Sequence, residues 1–177
     1  MTTVTMPPFL RKLMLVCHVI SSVSSLGAVA CFLVLALVAL GSEDLGTALS
    51  PYVAMQSVAR LVTVPLVFAS LLTGLVQALG TAWGLFRHYW VLAKFLLTVL
   101  TAVVLLLQLE IIDYVASAAI EGALAEADLL SLRLSLVVHA AGGIITLITT
   151  TVLSIFKPRG LTRHDWRKQQ GQLGKLL

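Results

Sequence analysis

"GTAWGLFRHYW", residues 80–90, parts two apolar runs that are each long enough to cross a bilayer. Trp83, Tyr89 and Trp90 are amphipathic rings of the kind that settle where hydrocarbon meets water. A link this short returns the chain alongside itself. The run before it, about Ser57–Leu79, and the run after it, about Trp90–Tyr114, therefore form an antiparallel helical pair.

Outward from this hairpin lie two more apolar runs, near Leu13–Leu40 and Leu132–Phe156. Each of the four exceeds the roughly 20 residues needed to cross about 30 Å of hydrocarbon. A span surrounded by lipid must satisfy its own backbone hydrogen bonds, so all four are expected to be helices. Pro65 removes one ladder bond from the second and is expected to kink it. The fold class is all-α: a polytopic membrane protein built as an antiparallel bundle of four transmembrane helices. Residues 1–12 form an N-terminal segment, 13–156 the transmembrane domain and 157–177 a basic tail.

Composition agrees. Of the 177 residues 59% are hydrophobic and 11% charged, with a mean hydropathy of +1.01, whereas soluble domains carry about 25% charged residues. The net charge of +4 points to anionic headgroups rather than nucleic acid, because the basic residues flank apolar spans. The first run is too long for a signal-peptide core, and no convincing cleavage site precedes Ser42, so it is read as a retained span. Cys17 and Cys31 stand about 21 Å apart along one helix, out of disulfide range. No metal-type cysteine spacing occurs.

Charge predicts the threading. Arg11, Lys12, Arg87, Lys94 and the tail from Lys157 to Lys175 fall on one side, where the single acid is Asp165. Glu43, Asp44, Glu110, Asp113, Glu121, Glu126 and Asp128 fall on the other. Basic flanks mark the cytoplasmic face, so both termini are expected there, in a multi-pass protein of a bacterial inner membrane. On the opposite face, "SEDLGTALSPY" reads as a loop. "ASAAIEGALAEADLL" reads as an extension of the third span or a short interfacial helix.

Polar residues inside the spans mark candidate sites, because hydrocarbon makes them costly. His18, Ser21, Ser22 and Ser25 share one helical face, which suits either close packing by small residues or a ligand or proton role for His18. Ser70, Thr73, Gly74 and Gln77 line a second face, read as interior hydrogen bonding and packing. His139, Gly142, Gly143, Thr146 and Thr150 line a third. The glycines there admit a neighbouring helix or a flat group such as a porphyrin, and desolvation argues that His139 faces inward. Arg60 lies at the depth of Glu110 and Asp113 and is expected to pair with one of them, or to meet a propionate or substrate anion. His88 sits at the interface and His164 in the tail.

Depth limits which histidines share a cofactor. His18 falls about 13 Å to one side of the midplane and His139 about 7 Å to the other, so these two cannot ligate one iron. His18 and His88 are better matched, on helices expected to be diagonal partners.

The stretches "LGAVACFL", "WGLFRHYWVLAKFLLTVL", "VVHAAGG" and "KPRGLT" resemble a family of small actinobacterial-type four-helix membrane proteins of unknown function. That family is loosely grouped with copper-resistance D-type proteins. The resemblance implies an inner-membrane location and redox or metal handling. Copper favours soft ligands, and near His18 only Met14 and Cys17 supply them.

Three functions compete. The first is binding of haem b, or a metal, through interior histidines for electron transfer or sensing, with His139, His18, His88, Gly142, Gly143 and Arg60 as the site residues. The second is a metal or small-solute permease. The third is a noncatalytic subunit of a homo-oligomer or of a larger membrane complex. No nucleophile–base–acid set, phosphate loop or acid pair indicates an enzyme.

Overall fold

The computed structural model describes residues 6–42, 45–81, 85, 88–123 and 127–156. Five α-helices follow in order: α1 Pro8–Gly41, α2 Leu45–Ser57, α3 Val64–Gly80, α4 Tyr89–Ile120 and α5 Ala127–Phe156. A π-helical turn, Val58–Thr63, joins α2 to α3 without a break. That continuous stretch and the other three helices give four antiparallel spans, each long and apolar enough to cross a membrane. Tail residues 157–177 and N-terminal residues 1–5 lie outside the described residues, as do Trp83, Arg87, Glu43, Asp44 and Glu126.

The helices run further than hydropathy alone suggests. α1 begins at Pro8, whose missing N–H costs nothing in a first turn. The expected loop "SEDLGTALSPY" is corrected: from Leu45 onward it is helix, and Pro51 is accommodated inside α2. Downstream, the π turn precedes Pro65, which has no N–H to give the α ladder. Thr63 Oγ1 donates to Val58 O at 3.1 Å, five residues back. The second span thus absorbs its proline by widening one turn.

At the far end, α4 extends to Ile120. Gly122 then adopts φ +73°, a left-handed conformation that glycine reaches without a Cβ penalty. Gly122 N donates to Ala119 O (3.3 Å) and Ala123 N to Ala118 O (2.9 Å), closing the helix in a Schellman arrangement. The segment expected as a span extension or an interfacial helix is thus divided between the end of α4 and the start of α5.

α1 packs against α2, α3 and α5, and α4 against the same three, so α1 and α4 are diagonal. The buried seam of α1 is Ser21, Ser25, Ala28, Val29, Phe32, Ala36 and Ala39, mostly serine and alanine. Such small residues let helices approach closely where no hydrophobic driving force separates them from lipid. The packed core lies mainly in the half of the bundle distant from the ends of α1 and α5 that carry the termini, and reaches past the middle of α5 at Leu147. It joins Val29–Ala39 of α1, Ala48–Ala59 of the second span, Ile112–Ala119 of α4 and Leu129–Leu147 of α5. No residue of α4 before Ala102 is buried.

Candidate functional site

A half-open cavity of about 790 Å³ is lined by α1, α3, α4 and α5, a size typical of small-molecule sites. Its lining is largely apolar. Polar groups come from every wall: His18 and Ser22 from α1, Ser70 and Gln77 from α3, Thr98 from α4, and Thr150, Thr151 and Ser154 from α5. Arg11 and Lys94 are the cations of the lining, and no acid lines the space among the described residues.

His18 is half-buried, and its ring is fixed from α3. Nδ1 lies 3.0 Å from Ser70 O and 3.2 Å from Thr73 Oγ1. A carbonyl can only accept, and the Thr73 hydroxyl spends its own hydrogen on Ala69 O at 2.6 Å. Both neighbours accept, so the network assigns the proton to Nδ1 and leaves a lone pair on Nε2. Among the described residues Nε2 has no hydrogen-bond partner, and it is not sealed by protein. Gly74 makes room for the ring: a Cβ there would stand 3.0 Å from His18 Cε1 and 3.4 Å from Nδ1.

The polar stripes of α1 and α3 meet each other. Ser22 Oγ and Ser70 Oγ are 2.7 Å apart, and Gln77 Nε2 donates to Met14 O at 3.0 Å. Ser21 and Ser25 hydroxyls instead donate to carbonyls of their own helix.

His139 requires a correction. It is exposed on the outer surface of α5, not directed into the bundle. The desolvation argument missed a local partner: Nδ1 lies 2.7 Å from Ser135 O, one turn back on the same helix. The face drawn through the third stripe also divides. His139 and Gly142 look outward, with nothing near Gly142, whereas Gly143 admits Val29 of α1 and Thr150 borders the cavity. His88 precedes α4 with its ring 6.3 Å from that of Trp90, and it does not line the cavity. His164 lies outside the described residues. His18 is therefore the one histidine that the cavity brings to bear among the described residues.

Arg60 finds its acid. It pairs with Asp113, Nε donating to Oδ1 at 3.1 Å, and Gln56 Nε2 donates to the same oxygen at 2.9 Å. Glu110 is exposed. This pair belongs to the packed half and takes no part in the cavity.

Two features escaped the sequence reading. Lys94 was counted only as a topological charge, yet it borders the cavity with Nζ 5.5 Å from the Trp90 ring centre. Arg133, inside an apolar run, ties three helices: Nε donates to Tyr52 Oη at 2.6 Å and Nη2 to Ala39 O at 3.0 Å. The signal for Arg133 was its own presence, a cation that lipid would penalise unless partners met it.

Comparison with family models, with curated proteins and with solved structures gave no match.

Proposed function

We propose that this chain is a membrane-embedded haem b protein in which the His18 imidazole would hold the iron. The observation that carries the reading is the imidazole: Nδ1–H tied to a carbonyl and Nε2 left bare beside a hollow of about 790 Å³. A second partner on the distal nitrogen is the usual means of fixing the tautomer and raising the basicity of a ligating histidine. The cavity chemistry suits a flat apolar macrocycle with two carboxylates at one edge. Apolar walls would hold the ring, and Arg11 and Lys94 would meet the propionates. Bound iron would supply redox or ligand-binding chemistry; the protein's part is to orient the imidazole and exclude water.

A copper-handling reading has less support. Among the described residues no three histidine, cysteine, aspartate or glutamate side chains gather as a metal-ligand group. Arg60 leaves the proposed site because its charge is already matched. The fuller setting we propose is a bacterial inner membrane with both termini in the cytoplasm.

Absorption spectroscopy of the detergent-purified chain, titrated with haemin, tests the proposal. The expected result is a Soret band saturating at one haem per chain, lost in His18→Ala and retained in His139→Leu. A chain that stays colourless under titration, or a band indifferent to His18→Ala, would remove the reading.

A further inference from the structure

We infer that the chain assembles with further copies of itself into a closed ring in the membrane, with Glu110 of one copy pairing with His139 of the next. The contact is independent of the cavity and of any haem.

Both groups stand in hydrocarbon on the lipid side of the bundle. Centred on about 30 Å of hydrocarbon, α4 with its 32 residues projects about 9 Å beyond it at each end. Glu110 lies about 15 Å from the Ile120 end of α4, and His139 about 18 Å from the Ala127 end of α5. These two ends lie on the same side, so the depths differ by about 3 Å, within reach of a glutamate arm. Both residues are exposed, and among the described residues neither forms a salt bridge. A carboxyl facing lipid has neither water nor a partner, which makes it costly. His139 Nδ1 lies 2.7 Å from Ser135 O and so carries the hydrogen, leaving Nε2 to accept. A carboxyl and an imidazole that share one proton form a pair without net charge, whichever of them holds it.

The two groups point away from opposite flanks of one chain. Gly143, one turn beyond His139, meets Val29 of α1, so His139 stands on the side of α5 nearer α1. Asp113, three residues beyond Glu110, pairs with Arg60, so Glu110 stands on the side of α4 nearer the second span. Round the bundle the order is α1, second span, α4, α5, which sets these two flanks opposite each other. A two-fold contact through either flank would bring Glu110 against Glu110, or His139 against His139. A head-to-tail contact brings unlike groups together, and rotation about the membrane normal closes it into a ring of at least three copies. Copies inserted with one orientation keep their depth under that rotation. Gly142, three residues from His139, is exposed, and a Cβ there would meet nothing within 4 Å. The α4 of a neighbouring copy can therefore come close.

Thiol crosslinking of the full chain in its own membranes tests the contact, with Cys17→Ala and Cys31→Ala leaving only the introduced thiols. Chains carrying Glu110→Cys, coexpressed with chains carrying His139→Cys, should link to each other under mild oxidation. Either kind expressed alone should give no linked pair. A chain carrying both substitutions should give a ladder that ends at a closed species of three or more copies. Native mass spectrometry of the unmodified chain should show that same copy number. Glu110→Leu and His139→Leu should each shift the chain to monomer, and the exchange of Glu110→His with His139→Glu should restore the ring. An unmodified chain that is monomeric in both measurements would overturn the assembly. Links between two copies of residue 110 or of residue 139, or a ring indifferent to both leucine variants, would overturn the pairing. Failure of the exchange to restore the ring would overturn it equally.

Discussion

Gly74 and Gly27 show how one substitution changes sign with its surroundings. Alanine at Gly74 would push a methyl against the His18 ring at 3.0 Å, and the ring is held by two acceptors that restrict its retreat. Gly74→Ala is predicted to cost about 1–3 kcal/mol through overpacking and to weaken haem binding. Gly27 lies on the outer face of α1 with nothing within 4 Å. Gly27→Ala should stabilise by about 0.5–1 kcal/mol, because alanine loses less backbone freedom in a helix. Denaturant titration of both variants in mixed micelles, read against the parent chain, checks the opposite signs. Thr73→Val removes one of the two acceptors on Nδ1 while keeping the Ser70 carbonyl. Outer-shell losses of this kind weaken metal binding by about 10–100-fold, so haemin titration of Thr73→Val should show a weaker site with the fold unchanged.

The Arg60–Asp113 pair joins the π turn to α4 at a largely exposed position. A double-mutant cycle with Arg60→Gln and Asp113→Asn should be less than additive, and the same cycle with Glu110→Gln should be additive within error. Additivity with Asp113 would remove this contact from the fold. Arg133 has a larger part, since it links α5 to α2 and to the end of α1, and Tyr52 beneath it is 2% exposed. Arg133→Leu leaves a buried phenol and a carbonyl without their donor, at a cost of about 1–3 kcal/mol. Tyr52→Phe added to Arg133→Leu should recover part of that loss, read as a rise in Tm in detergent.

Across the whole molecule, most of the packed core and the half-open cavity lie toward opposite ends of the bundle. A bundle with four spans returns both termini to one side, and the charges of Arg11, Lys12 and Lys94 gather at that end. Reporter fusions after residues 44 and 168 are predicted to report opposite compartments, with the fusion at 168 cytoplasmic. Matching compartments would contradict four spans, and exchanged compartments would reverse the proposed orientation.

The sequence by itself determined the number of spans, their antiparallel order and the hydrogen-bonding stripes of α1 and α3. These follow from hydrophobic run length, a short interfacial link and helical periodicity, all local quantities. It also placed Arg60 at the depth of Asp113, because depth along a helix is counted in residues. Rotation about a helix axis is a different quantity, and tertiary structure alone decided it. His139 and His18 look alike as histidines in apolar runs beside small residues, yet one faces outward and the other borders the cavity. His139 is not forced inward because its own helix offers a carbonyl to Nδ1, whereas His18 takes its acceptors from α3. Periodicity shows which residues share a face. Which face meets a neighbour depends on how all four helices pack at once.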